Sequence, residues 1–175
     1  MALKREDKKL IVEEVSDVAA QALSVVLAEY RGLTAEQMTR LRAECRQANV
    51  VVRVVKNTLA RRALKGSTFE CMQDLMVGPT VLAFSLDNPG AAARVFKGYI
   101  KENEDLVVKG LSLGGAALPP DQLSAVAKLP TLDEAISQLM GVMKAPIEKL
   151  ARTLAEPPAK LVRTVAAVRD QKEAA

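Results

Sequence analysis

Histidine and tryptophan are absent from the 175 residues, and the aromatic complement is only Tyr30, Phe69, Phe84, Phe96 and Tyr99. Without histidine, Ser-His-Asp and Cys-His nucleophiles and His-ligated metals are excluded. The two cysteines, Cys45 and Cys71, make neither a disulfide framework nor a CxxC pair, which fits a reducing, cytoplasmic setting. No apolar run approaches the ~18 residues of a membrane span. The start of the chain, Met1 to Lys9, is charged and has no apolar stretch, so no secretory leader is expected. There is no GxGxxG, no GxxxxGK[ST] and no metal-ligand spacing, so neither an enzyme nor a cofactor or metal site is expected. What is present is a chain that is 49% hydrophobic, enough to bury a core.

Charge is modest in sum and uneven in place. The net value is +4, yet residues 1–65 hold 13 basic against 8 acidic side chains, and residues 34–65 alone hold 8 against 2. Residues 66–133 reverse the balance, with 5 against 8. Basic charge gathered on one part of a small domain points to a polyanionic partner.

Periodicity supplies the elements. Ile11, Val15, Val18 and Ala22 form one helical stripe over 6–22, with Lys4, Arg5, Lys8 and Lys9 at its first turn, where cations oppose the helix dipole. Residues 22–30 read as a buried strand. Thr34-Ala-Glu-Gln37 is a capping box that opens a helix with Met38, Leu41, Cys45 and Ala48 inward. Cys45 is therefore a core residue rather than a nucleophile. Val50–Val55 is a β-branched strand, Asn57 caps a short helix over 58–65, and a second short helix is expected over 69–76. Thr80–Ser85 is a third strand, and Asn88-Pro89 caps a helix carrying Ala92, Val95, Phe96 and Tyr99. Leu106–Leu113 is a fourth strand ended by Gly114-Gly115, before a helix near 121–129. The order strand-helix-strand-strand-helix-strand predicts an α/β (α+β) fold, the split βαβ of a ferredoxin-like sandwich, with residues 57–77 inserted.

From Pro130 onward strand signals and aromatics stop, so residues 1–130 are assigned to a globular domain and 131–175 to a helical tail. Lys149-Leu-Ala-Arg-Thr-Leu-Ala155 matches Lys160-Leu-Val-Arg-Thr-Val-Ala166 at a displacement of eleven. Eleven residues are close to three helical turns, so side chains eleven apart share an azimuth. Leu139, Met143, Leu150, Leu154, Leu161 and Val165 form an apolar ribbon that Ile136 and Ile147 widen. Pro146 and Pro157-Pro158 are expected to break or kink the helix. A unit repeated in series suggests one binder docking several times.

Tyr30-Arg-Gly-Leu-Thr34, Val54-Val-Lys-Asn-Thr-Leu59, Gly78-Pro-Thr80, Pro89-Gly-Ala-Ala-Ala-Arg94, Leu129-Pro-Thr131 and the Lys-Leu-Val-Arg-Thr-Val tail, in that order, resemble the bacterial family of ribosomal large-subunit protein ten, the stalk-base proteins. The resemblance implies an N-terminal domain bound to large-subunit ribosomal RNA beside ribosomal protein eleven. It implies a C-terminal helix that carries dimers of the acidic stalk protein known by the numbers seven and twelve. Those dimers recruit translational GTPases, and in many bacteria the complex represses its own messenger RNA. About ten tail residues serve each dimer in the family. Three segments, Ile136–Met143, Ile147–Leu154 and Leu161–Val165, thus favour three dimers, or two if Gly141 spoils the first.

Few aromatics on the strands argue against base stacking as the main mode of RNA binding. Phosphate contact by Lys8, Lys9, Arg31, Arg53, Lys56, Arg61 and Arg62 is expected instead. Asn57 and Thr58 add donors at a helix start, and Gly32 permits close backbone approach. A free-standing messenger-binding repressor with a self-associating tail would use the same basic patch. A membrane-surface helix over 134–166 would lack aromatic anchors, and no membrane partner is expected.

Overall fold

A computed structural model describes residues 5–103 and 105–173. Lys4, part of the basic cluster expected at the first helix, lies outside them. The chain divides into two units, Met1–Thr131 and Leu132–Ala175.

In the first unit the elements run α1 (Arg5–Gln21), β1 (Ser24–Glu29), α2 (Ala35–Gln47), β2 (Val50–Arg53), α3 (Asn57–Leu64), β3 (Thr80–Ser85), α4 (Ala91–Glu102), β4 (Val107–Leu113), β5 (Ala116–Leu118) and α5 (Leu123–Val126). The sheet order is β2-β3-β1-β4-β5 with every neighbouring pair antiparallel. Reading β4-β1-β3-β2 gives the ferredoxin-like order, with β5 added outside. The central strand β1 is apolar from Val25 to Ala28 because both of its faces are covered. Val26 and Ala28 join Leu41, Cys45, Phe96 and Tyr99 on one side of the sheet. Val25 and Leu27 join Val15, Ala63, Leu64 and Phe69 on the other. Two cores on one sheet explain how so few aromatics suffice: Phe69, Phe84 and Phe96 are almost wholly enclosed.

Local chemistry sets the element ends. The Thr34 box forms in both directions: Gln37 N–H donates to Thr34 Oγ1 at 3.3 Å, and Thr34 N–H donates to Gln37 Oε1 at 2.8 Å. Such a cap contributes about 1 kcal/mol. Asn49 turns the chain into β2 at a φ of 53°, a left-handed value that asparagine tolerates. The Tyr99 hydroxyl donates to Gln37 O at 2.7 Å and ties α4 to α2.

Three local expectations need correction, and two others gain detail. Asn57 is the first residue of α3 and not its cap, a place taken by Lys56 with no side-chain bond. The α4 cap is Gly90 rather than Asn88, because the buried Ser85 hydroxyl reaches across from β3 and accepts from Ala92 N–H. The helix expected over 69–76 is a single 3-10 turn, Glu70–Met72, although Phe69, Met72 and Met76 do point inward. The helix expected near 121–129 is present as the shorter α5, Leu123–Val126, preceded by a 3-10 turn, Pro120–Gln122. Gly114-Gly115 ends β4 as expected; it is a hairpin turn with both φ values positive, 56° and 91°, and it delivers β5, a strand not expected from the sequence.

The second unit is one helix, α6 (Leu132–Glu173), with 42 residues, which spans about 63 Å at 1.5 Å per residue. It is unbroken through Pro146, Pro157 and Pro158, so of the expected break or kink the break does not occur. Proline fits helical φ. Its cost is the lost donor and the crowded carbonyl four residues back, and here those carbonyls sit on a helix with no buried residue, where water can reach them. No helix among the described residues is long and apolar enough to cross a membrane.

Candidate nucleic-acid interface and partner helix

A groove of about 450 Å³ brings together Tyr30, Lys56, Asn57, Thr58 and the Gly78–Thr80 turn. The first two helical bonds of α3 run from Leu59 N–H and Ala60 N–H to Lys56 O. The amides of Asn57 and Thr58 therefore precede the ladder at the positive end of the helix dipole. Arg31 and Gly32 follow Tyr30 directly, and Gly32 holds a φ of 101° against Asp105. A Cβ there would lie 3.1 Å from Asp105 Cβ, so glycine is required for the turn itself.

The turn that forms one wall is braced from several sides. Asn57 Nδ2 donates to Gly78 O at 2.8 Å, and the Thr80 hydroxyl donates to Asn57 Oδ1 at 2.6 Å. Arg61 donates from Nε to Gln73 O at 3.1 Å and from Nη2 to Met76 O at 2.8 Å. Lys109 Nζ pairs with Glu29 at 2.7 Å and also donates to Val77 O. Asn57 and Arg61, expected from sequence as RNA contacts, thus have their side chains engaged in holding residues 73–80. Their neighbours differ: Lys56, Thr58 and Arg62 are exposed, and Lys56, Arg62 and Arg31 take part in no ion pair among the described residues.

The remaining expected contacts are more dispersed. Lys8 and Lys9 are exposed on α1, which packs beside α3 through Val15 and Ala19. Arg53 lies on β2 with its guanidinium 3.7 Å from Glu14, and it borders a different, larger groove with Arg42 and Arg46. Arg42 and Arg46 were legible only as residues off the α2 stripe. That they meet the sheet edge depends on how α2 crosses β2. Of the aromatics, Tyr30 is half-buried at the smaller groove, and Phe84 is wholly buried in the core.

The two thiols sit in different surroundings. Burial, followed by the nearby Glu44 carboxylate, pushes the Cys45 thiol up to about 12. Cys71 is exposed, with its Sγ 3.5 Å from Ser112 Oγ. No group of three His, Cys, Asp or Glu side chains among the described residues could hold a metal ion.

On α6 the eight ribbon residues Ile136, Leu139, Met143, Ile147, Leu150, Leu154, Leu161 and Val165 are all exposed. At about 100° per residue they fall within an arc of roughly 80°. Leu132 and Val168, also exposed, share that arc and lengthen the ribbon at both ends, although neither lies inside a repeated unit. The repeat is visible in the hydrogen bonds: Thr153 Oγ1 donates to Leu150 O, and Thr164 Oγ1 donates to Leu161 O, both at 2.8 Å.

Residues 3–101 match the family model of ribosomal protein L10, and residues 129–155 match the model of the ribosomal protein uL10 C-terminal region. The chain is similar to the large ribosomal subunit protein uL10 of Thioalkalivibrio sulfidiphilus, with 62% identity over 174 residues and 99% of each chain covered. It is 55% identical to the protein of the same name from Hahella chejuensis over 175 residues, covering 100% of this chain and 99% of the relative. With the Legionella pneumophila (strain Corby) protein of that name it shares 58% identity over 172 residues, covering 98% and 97%.

Proposed function

The chain belongs to the ribosomal protein L10 family, and on that premise we propose that its first unit binds large-subunit ribosomal RNA at the stalk base while α6 anchors three dimers of the acidic stalk protein. As a family member it is a structural protein of the large ribosomal subunit. The observation that carries the anchoring role is the ribbon: a long helix with no buried residue that presents large apolar side chains in register every eleven residues. Each step of eleven residues advances about 16 Å, room for successive small dimers to dock side by side. The apolar area left open is what such dimers would cover.

The RNA-binding role rests on Lys56, Thr58 and Arg62 around α3, Arg31 and Gly32 at the end of β1, and Lys8 and Lys9 on α1. These groups suit phosphates, and the braced Gly78–Thr80 turn forms one wall of the groove that Lys56 and Thr58 line. The chain itself carries out no chemistry in this reading; GTP hydrolysis belongs to the factors that the stalk recruits.

Removing residues 132–175 in cells separates the two roles. Large subunits should then retain the truncated chain and lose the acidic stalk protein. Subunits that keep a full complement of stalk protein would refute the anchoring role, and subunits that lose the truncated chain as well would refute the independence of the RNA-binding unit.

A further inference from the structure

The larger groove, about 790 Å³, runs along β2, which is an edge strand paired only with β3. Its register with β3 is unbroken from Val50 to Arg53, so no bulge twists the edge away. Alternate residues of such a strand turn both N–H and C=O outward. That alternation matches another extended backbone. A phosphate chain offers acceptors only and would leave the carbonyls facing like charge. The groove also has an apolar component, since Val52 is half-buried and Val54 is 40% exposed.

Charge selects the occupant. Arg42 and Arg46 lie one turn apart on α2, both exposed, and neither is in an ion pair among the described residues. Arg53 adds a third cation, though it leans toward Glu14. The acid in the groove, Asp87, accepts from Asn49 Nδ2 at 3.0 Å. We propose that this edge is a docking site for an extended acidic segment of a partner polypeptide, which adds to the sheet beside β2 while its alternate carboxylates meet Arg42 and Arg46. The site adjoins the groove at Lys56, with Val54 lining both, but does not depend on the RNA-binding role.

The test uses the full chain and a capped octapeptide of alternating Glu and Val, followed by NMR amide exchange. One alternate set of amides within residues 50–54 should gain protection, and a Lys-Val octapeptide should give none. Replacing Arg42 and Arg46 together by Ala should weaken the acidic peptide roughly tenfold, as two partly exposed charge pairs allow. Both positions are on the surface, so the variant should fold. No edge protection at millimolar peptide, or equal protection by both peptides, would overturn the proposal. So would loss of ribosomal RNA affinity in the double variant with peptide binding unchanged, which would assign the edge to RNA.

Discussion

Replacing Leu150 and Leu154 by Ala should remove one stalk dimer and leave the others in place. The two side chains are 63% and 72% exposed in the free chain. Full burial of a leucine side chain is worth about 1.5–3 kcal/mol. Scaled to the surface still open, the pair contributes about 3 kcal/mol, or roughly a hundredfold in Kd at the middle segment. Alanine is the strongest helix former, so α6 itself should persist. Leu139 and Leu161 lie about 16 Å away along the axis and should bind as before. Calorimetric titration with the stalk protein should show one class of site lost at submicromolar concentration, and a native mass should fall by one dimer. An unchanged site number with unchanged affinity would show that the ribbon is not the docking surface.

Other consequences follow from the braced turn, the basic groove and the thiols. Lys56→Ala with Arg62→Ala should lower the salt slope of stalk-base RNA binding by about 1.5, reflecting two lost phosphate contacts; an unchanged slope would remove both from the interface. Asn57→Ala leaves Gly78 O and the Thr80 hydroxyl without their partner, and urea unfolding should show a loss of about 1–2 kcal/mol. At pH 8 a thiol reagent should modify Cys71 alone in the native chain, with Cys45 reacting only on unfolding. Because burial raises the Cys45 thiol to about 12, its contribution to stability is present below the unfolded thiol value near 8.5 and is lost as pH rises toward 12. A Cys45→Ser variant should show a shallower decline in stability over that alkaline range.

The periodic elements were legible because each carries a simple spacing of apolar or capping residues. The Val-Val-Leu-Ala run of β1, the Thr34 box and the eleven-residue tail repeat follow from local spacing alone. The split βαβ order then follows from their succession. Features set by tertiary contact were not legible. The α4 start depends on Ser85, a residue of β3 that is adjacent only after folding. Asn57 carries a strong cap signal, yet its side chain is drawn to Gly78 and Thr80, more than twenty positions away in sequence. Arg61 reads as a free surface cation and instead secures two carbonyls of a neighbouring loop. The β5 hairpin is a different case, since Gly114-Gly115 between apolar residues is itself a turn signal. At the three prolines of α6 only a break is contradicted by the continuous helix, whose carbonyls lie where water can reach them.

The central claim is a count of partners on an unburied helix. Native mass spectrometry of the full chain, co-expressed and purified with the stalk protein of the same organism, measures that count directly. The account expects a complex of one chain with six stalk subunits, and a complex with four, or none, would contradict it.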